Sequence, residues 1–256
     1  MARFRIFSGT QLKLFAAICM LIDHIGVIFF PNILIFRIIG RLAFPIFAFM
    51  ISEGTRYTKN KIRYFFTIFS VALICSLVFY LFSGGSLYLC VLVTFSISVL
   101  LIYALRWFKV CLYSRSCGLS VKLISLFVFL LLVTAAALLD YLPFFDKVLR
   151  LDYDGGFVGA MLPVAASLFD YRGIDAPDSV KRLDKLNVRV AVMGVALISM
   201  VSISPLQWFA LLALIPLLMY SERRGRYSLK YFFYIFYPLH LALLEGLYIL
   251  IRILSR

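Results

Sequence analysis

The sequence predicts an all-α integral membrane protein, a polytopic bundle of about nine transmembrane helices (eight to ten) with a cytoplasmic amino terminus. The composition is 64% hydrophobic and only 15% charged, whereas a soluble domain is roughly half apolar and about a quarter charged. The mean hydropathy is +1.01. Apolar residues form long runs, and basic residues collect in alternate connections between them. We therefore expect one domain over residues 1–256, surrounded by the lipid bilayer.

A helix needs about 20 apolar residues to cross the hydrocarbon core. Nine runs approach this length: 12–31, 34–52, 64–82, 87–106, 121–142, 155–169, 188–203, 205–220 and 231–251. The sixth and seventh runs are short, and short spans are accommodated by tilting or by breaks in the helix. Eight or ten spans therefore stay open as alternatives to nine.

The distribution of positive charge predicts the orientation. Twenty of the 26 lysines and arginines lie in five clusters, at 3–13, 56–63, 106–122, 172–189 and 223–230. These clusters alternate with connections that are poor in positive charge, so the positive-inside rule places the amino terminus in the cytoplasm. A nucleic-acid-binding protein would instead concentrate its charge on one soluble face. We therefore expect no nucleic-acid partner.

Asp23 and His24 are adjacent in the first span, beyond its midpoint. An ionisable side chain inside a span costs about 2.5–3.5 kcal/mol on insertion scales, which by default indicates a function. A carboxylate next to an imidazole can fix the tautomer and raise the basicity, as a general base requires. The alternative is a buried pair that only holds helices together by hydrogen bonds.

Two arginines open the second span. Arg37 and Arg41 are four residues apart and share a helix face, and guanidinium groups suit phosphates and carboxylates. Pro45 cannot donate to the carbonyl of Arg41, which predicts a kink there. In the alternative interpretation, Arg37 extends to the membrane interface and Arg41 pairs with Asp23.

Further polar residues occupy other spans. Glu53 ends the second span, where it could pair with Arg56. The only other histidine, His240, lies in the last span, and two histidines in spans suggest a shared polar cavity. Glu245 follows and could pair with Arg252 instead. Two histidines and a carboxylate could bind zinc, but no ligand spacing such as HxxxH is present, so we expect no metal.

Three motifs resemble the TraX family, and the resemblance covers essentially the whole chain. They read MLIDHIG at 20–26, RIIGRLAFPIFAF at 37–49 and KYFFYIFYPLH at 230–240. The namesake of that family is associated with amino-terminal acetylation of conjugative pilin, and the family is similar to the transmembrane acyltransferases. The resemblance implies a multi-pass acetyltransferase of the bacterial cytoplasmic membrane that takes its acetyl group from cytosolic acetyl-CoA.

The resemblance also implies roles for particular residues. It implies His24 as catalytic base and Asp23 as its partner, with Arg37, Arg41, Glu53 and His240 in the site that holds the donor. The acceptor stays open between a peptide or pilin-like amino terminus, a small amine and a hydroxyl. Two positions depart from the family pattern. Cys90 stands near an expected Asn, and either Asp152 or Asp154 could match the Asp before the sixth span.

Two other functions remain open at this point. A secondary transporter could use Asp23, His24 and Arg41 as a polar relay, although the absence of an internal sequence repeat argues mildly against it. A non-catalytic membrane scaffold would need the same polar residues only to hold its helices together.

Overall fold

A computed structural model describes residues 5–82, 88–141, 152–153, 155–201, 205–226 and 229–255. The helices in chain order are α1 Gly9–Phe29, α2 Leu34–Gly40, α3 Ala43–Tyr57, α4 Lys61–Phe82, α5 Val91–Tyr113, α6 Leu119–Tyr141, α7 Gly156–Ser167, α8 Asp178–Lys181, α9 Leu186–Val201, a 3-10 helix Pro205–Ala213, α10 Leu214–Leu218 and α11 Lys230–Leu254. Two short strands, β1 Tyr88–Leu89 and β2 Asp152–Tyr153, pair in parallel.

Within the described residues, six helical segments are long and apolar enough to cross a membrane. They are Gly9–Phe29, Leu34–Tyr57, Lys61–Leu81, Val91–Tyr113, Leu119–Tyr141 and Tyr231–Leu254. The other three expected spans correspond to shorter apolar helices, Gly156–Ser167, Leu186–Val201 and Pro205–Leu218. The expected all-helical membrane architecture is therefore confirmed, and the expected count of nine spans is not.

The second span is broken where its proline predicts a kink. Helix α2 ends at Gly40 and α3 begins at Ala43, so Arg41 and Leu42 form a turn between them. Pro45 lies in the first turn of α3, and its missing N–H cannot bond to the carbonyl of Arg41. The break leaves Arg41 at the junction of two helices rather than in the middle of one.

The connections rich in basic residues meet at one end of the bundle, which we call the basic end. There the Gly9 N–H donates to the carbonyl of Arg223 (2.8 Å), and the Arg106 guanidinium donates to the carbonyl of Arg172 (2.7 Å). At the opposite end, β1 pairs with β2, and the Asp140 carboxylate accepts a hydrogen bond from the Phe157 N–H (2.8 Å). The cytoplasmic location of the basic end stays a prediction.

A buried ion pair connects three helices near the basic end. Arg189 on α9 donates to Glu53 on α3 (2.6 Å), and both side chains are almost fully buried, at 1% and 5% exposure. Arg189 also donates to the carbonyl of Ala166 (3.0 Å) and to the Ser52 hydroxyl (3.3 Å). Burial and the nearby Glu53 carboxylate raise the pKa of Tyr220, which therefore remains a neutral hydroxyl.

A second charged cluster lies beside that pair. Arg56 binds Asp184 (2.6 Å) and approaches Asp170 (3.5 Å). The buried Lys109 ammonium donates to the carbonyls of Ser167 (3.0 Å) and Asp170 (3.3 Å). The suggestion that Glu53 pairs with Arg56 is therefore wrong, because the loop between α7 and α9 supplies closer carboxylates.

We predict that Arg189→Met destabilises the folded protein by about 3–5 kcal/mol, because it leaves the Glu53 carboxylate buried without its partner. Thermal unfolding of the purified protein in detergent measures the change. The control is Lys185→Met, which removes an exposed cation close by in the sequence. The double variant Glu53→Gln, Arg189→Met should recover part of the loss. Equal stability of Arg189→Met and Lys185→Met would contradict the prediction.

Candidate functional site

A cavity of about 1740 Å³ lies among the helices and reaches both ends of the bundle. Its wall includes Thr10, Lys59 and Arg224 at the basic end, and Asp140 and Gly155 at the opposite end. Asp23, His24, Arg37 and Arg41 line it between those ends. Binding pockets for drug-sized molecules usually measure about 300–1,000 Å³. The volume is therefore sufficient for an extended ligand together with a second molecule.

The two histidines of the chain are in direct contact. His24 Nδ1 lies 3.0 Å from His240 Nε2, and His240 Nδ1 lies 2.7 Å from the carbonyl oxygen of Phe236. A carbonyl oxygen can only accept, so His240 carries its proton on Nδ1. In the neutral pair, His240 Nε2 therefore accepts from His24 Nδ1–H. This leaves the lone pair of His24 on Nε2, which makes no hydrogen bond to any residue that the structure describes.

Asp23 has a different partner from the one expected. Arg37 Nη1 donates to Asp23 Oδ2 (2.9 Å), and Asp23 Oδ1 has no hydrogen-bond partner in the described structure. The prediction that Asp23 orients His24 is therefore wrong, since His240 occupies that role. The rings of the two histidines touch, but only His24 is among the residues that line the cavity, so the prediction that both share it is not confirmed.

Arg37 and Arg41 both come close to Asp23. Arg37 forms the salt bridge, and Arg41 acts electrostatically on the same carboxylate. In the alternative interpretation, Arg37 extends to the interface and Arg41 pairs with Asp23. That interpretation is wrong on this point, because the salt bridge to Asp23 is formed by Arg37. Because α2 ends at Gly40, the two guanidinium groups lie on either side of a helix end and line the cavity with His24.

Gly40 is the point where α2 packs directly on the Asp23 side chain. A Cβ at this position would overlap the carboxylate of Asp23. Gly26 of α1 is similarly covered by Phe36 of α2. The two glycines let α1 and α2 approach closely enough for Asp23 and Arg37 to meet.

Of the remaining predicted residues, some line the cavity and others lie outside the described part of the chain. Glu53 lines the cavity, but one of its oxygens binds Arg189, so its part in holding a donor stays a prediction. Cys90 also lines the cavity, and its thiol contacts the carbonyl of Ala72 (3.5 Å). Asp154 and the side chain of Asp152 lie outside the described residues.

Neither a metal site nor the expected Glu245 pair is seen in the part of the chain that the structure describes. There, no three histidine, cysteine, aspartate or glutamate residues are grouped closely enough to hold a metal ion. Glu245 lines the cavity, and no salt bridge between it and Arg252 occurs among the described residues.

The sequence did not single out three residues that lie in or beside the site. Lys13 and Arg189 counted only toward the positive charge of their clusters, although both prove to be inside the bundle. Asp140 ends an apolar run, and its position alone could have marked it, because an acid at a span end often meets the amino end of a neighbouring helix.

These features define a polytopic membrane protein with a polar site inside its helices. A family model described as TraX protein matches residues 8–248, nearly the whole chain. The chain belongs to the TraX family, and the resemblance carried by the three motifs is thereby confirmed.

Other comparisons are more limited. A stretch of 52 residues is 48% identical to the protein named Uncharacterized protein RP591 of Rickettsia prowazekii (strain Madrid E). The match covers 20% of this chain and 21% of that protein. The chain thus aligns with about a fifth of that relative's length. No solved structure matches the chain.

We predict that Gly40→Ala lowers stability by about 1–3 kcal/mol, because the added methyl group overpacks the contact with Asp23. Thermal unfolding in detergent measures the loss. Gly246→Ala is the matched control, since nothing lies within 4 Å of a Cβ there and alanine favours a helix. An equally stable Gly40→Ala protein would show that α2 does not depend on this close approach.

Proposed function

We propose that the chain is a membrane-embedded acetyltransferase that moves an acetyl group from acetyl-CoA to an amine or hydroxyl acceptor, with His24 as general base. The observation that carries the proposal is the unshared Nε2 of His24 in the cavity wall, whose tautomer is set by His240 and the carbonyl of Phe236. A general base needs an available lone pair within reach of its substrate. The TraX family assignment supports the same class of reaction.

The chemical step requires one proton acceptor and two positioned substrates. His24 Nε2 takes the proton of the acceptor while the acceptor nitrogen or oxygen attacks the thioester carbonyl carbon. The tetrahedral intermediate then collapses, the carbon–sulfur bond breaks, and the leaving thiolate of CoA recovers the proton from His24. The thioester is already activated, so alignment of the two substrates supplies much of the remaining rate enhancement.

Arg37 and Arg41 would stabilise the negative charge that develops on the carbonyl oxygen. Both line the cavity with His24, and a cation near a developing oxyanion lowers the barrier most effectively where water is scarce. Asp23 holds Arg37 in place through its salt bridge and so positions this charge. In this mechanism Asp23 acts on the arginine rather than on the histidine.

In this proposal the two substrates would enter the cavity by separate routes. Acetyl-CoA would enter at the basic end, from the cytosol, because positive charge there attracts its phosphates. The acceptor would enter from the opposite end or from the membrane, as a pilin-like or other peptide amino terminus, a small amine or a hydroxyl compound. The protein would then work in the bacterial cytoplasmic membrane.

Secondary transport is the second candidate, because a cavity that reaches both ends is also what a transport pathway needs. Two assays on one preparation of purified protein distinguish these two functions. Purified protein is mixed with radiolabelled acetyl-CoA and amine or hydroxyl acceptors, and the same protein in proteoliposomes is assayed for solute flux. Labelled product would support the acetyltransferase activity, whereas solute flux without any acetyl transfer would contradict it.

We predict that His24→Gln lowers kcat by about 10²–10⁴-fold, the usual contribution of a general base. Cys19→Ser is the matched control, since Cys19 is a buried residue of the same helix that does not line the cavity. Radiolabelled acetyl transfer measures both. A folded His24→Gln protein with the turnover of the control would exclude His24 as the base.

His240 should act by positioning His24. We expect His240→Leu to lower kcat more than His240→Asn does, because the asparagine oxygen can still accept a hydrogen bond from His24. The pH profile of kcat separates this role from simple packing, since loss of the acceptor changes which nitrogen of His24 carries the proton. Equal kcat values and unchanged pH profiles for both variants would contradict the positioning role.

A further inference from the structure

Two cysteines from neighbouring helices meet in the half of the bundle opposite the basic end. Cys75 lies in the second half of α4, and Cys90 is the residue between β1 and α5. Their side chains hydrogen-bond to each other, and both are almost completely buried. Because β1 pairs with β2 at the end opposite the basic end, the two thiols lie toward that end.

Two further hydrogen bonds hold Cys90 against the same face of α4. The Cys90 N–H donates to the Ser76 hydroxyl (3.3 Å), and the Cys90 thiol donates to the carbonyl of Ala72 (3.5 Å). Ala72 is three residues before Cys75 and therefore shares its helix face. A disulfide needs Cβ atoms about 3.5–4.5 Å apart, which only side chains already in contact reach without movement of the backbone.

The two thiols differ in their access to the cavity. Cys90 lines the cavity, whereas Cys75 lies behind it in the hydrophobic core. In thiol–disulfide exchange, one thiolate attacks the oxidant and a second thiolate resolves the mixed disulfide. Cys90 is placed for the first step, and Cys75 is placed for the second.

A second pair of cysteines lies at the basic end and provides a contrast. Cys111, near the end of α5, and Cys117, in the connection to α6, also hydrogen-bond to each other. The two pairs therefore lie toward opposite ends of one helix. The positive-inside rule predicts that only Cys75 and Cys90 lie toward the side away from the cytoplasm. Disulfides persist in the bacterial periplasm and are rare in the cytosol.

We infer that Cys75 and Cys90 form a reversible disulfide on the side away from the cytoplasm. The oxidant is a disulfide carried by a periplasmic protein or by a small molecule. The Cys90 thiolate attacks one sulfur of the oxidant, which releases a first thiol and leaves a mixed disulfide. The Cys75 thiolate then attacks the Cys90 sulfur and releases a second thiol. The cysteines lose two electrons and two protons, which the oxidant carries away as its two thiols.

The disulfide ties together two helices of the cavity wall. Helix α4 packs against α5 and also against α11, the helix that carries His240. Linking residues fifteen positions apart restricts the unfolded chain and so stabilises the folded protein. This thiol chemistry is independent of acetyl transfer.

Thiol trapping in intact bacteria tests the disulfide in the full-length protein. Cells are quenched with acid, free thiols are alkylated before and after reduction with two different reagents, and peptides are identified by mass spectrometry. Cys75 and Cys90 should be protected until reduction, whereas Cys111 and Cys117 should be alkylated at once. Alkylation of all four before reduction, or equal protection of both pairs, would overturn the inference.

A host without a periplasmic disulfide oxidase identifies the source of the oxidising disulfide. Loss of the Cys75–Cys90 disulfide in that host would support a protein oxidant. Persistence of the disulfide there would support a small-molecule oxidant.

Thermal unfolding of the purified protein gives a second measurement. The double variant Cys111→Ser, Cys117→Ser removes the second pair, and oxidised glutathione is the probe. Oxidation should raise the Tm of this variant by about 5–10 °C, the effect of closing a short loop. Adding Cys75→Ser or Cys90→Ser should abolish the rise. A rise of the same size without Cys75 would contradict the proposed disulfide.

Discussion

The ion pair between Glu53 and Arg189 is the interaction on which the interior of this protein depends. Lipid offers no partner for a charge, so each buried charge must be neutralised within the bundle. Arg189 neutralises the buried Glu53 carboxylate of α3, and it also donates hydrogen bonds to the backbone of α7 and to the Ser52 hydroxyl. Three helices are thereby held at one fixed separation, and α3, which forms much of the cavity wall, is anchored at its carboxyl end.

The residues of α2 and α3 that line the site near His24 lie around the break between these two helices. The break at Arg41 and Leu42 allows α2 to turn toward α1, where Gly40 packs on Asp23 and Arg37 reaches the carboxylate. Arg41 therefore lies just before α3, and Glu53 lies near the carboxyl end of the same helix. One end is fixed by a buried ion pair, and the other presents a guanidinium group to the cavity near His24.

Much of the fold could be predicted because its signals are local. Long apolar runs indicate membrane helices, and Pro45 indicates the break at the point where it is found. Most of the polar residues predicted in the spans line one cavity, as expected where lipid offers them no partner, whereas His240 contacts His24 without lining it. The side chains that pair with these polar residues were not predicted correctly from the sequence. Asp23 binds Arg37 rather than His24, and Glu53 binds Arg189 rather than Arg56, because neighbours in sequence are often less well placed than side chains from other helices.

The sequence by itself determined that this is a helical membrane protein of the TraX family, and that His24 is an ionisable residue inside a span. Composition, periodicity and motif order are properties of the chain alone. Only the tertiary structure decided which nitrogen of His24 is available, because that depends on His240, 216 positions away, and on the carbonyl that fixes its proton. Only the tertiary structure placed Lys13 in the same cavity as His24, because the cavity exists only once separate helices have packed together.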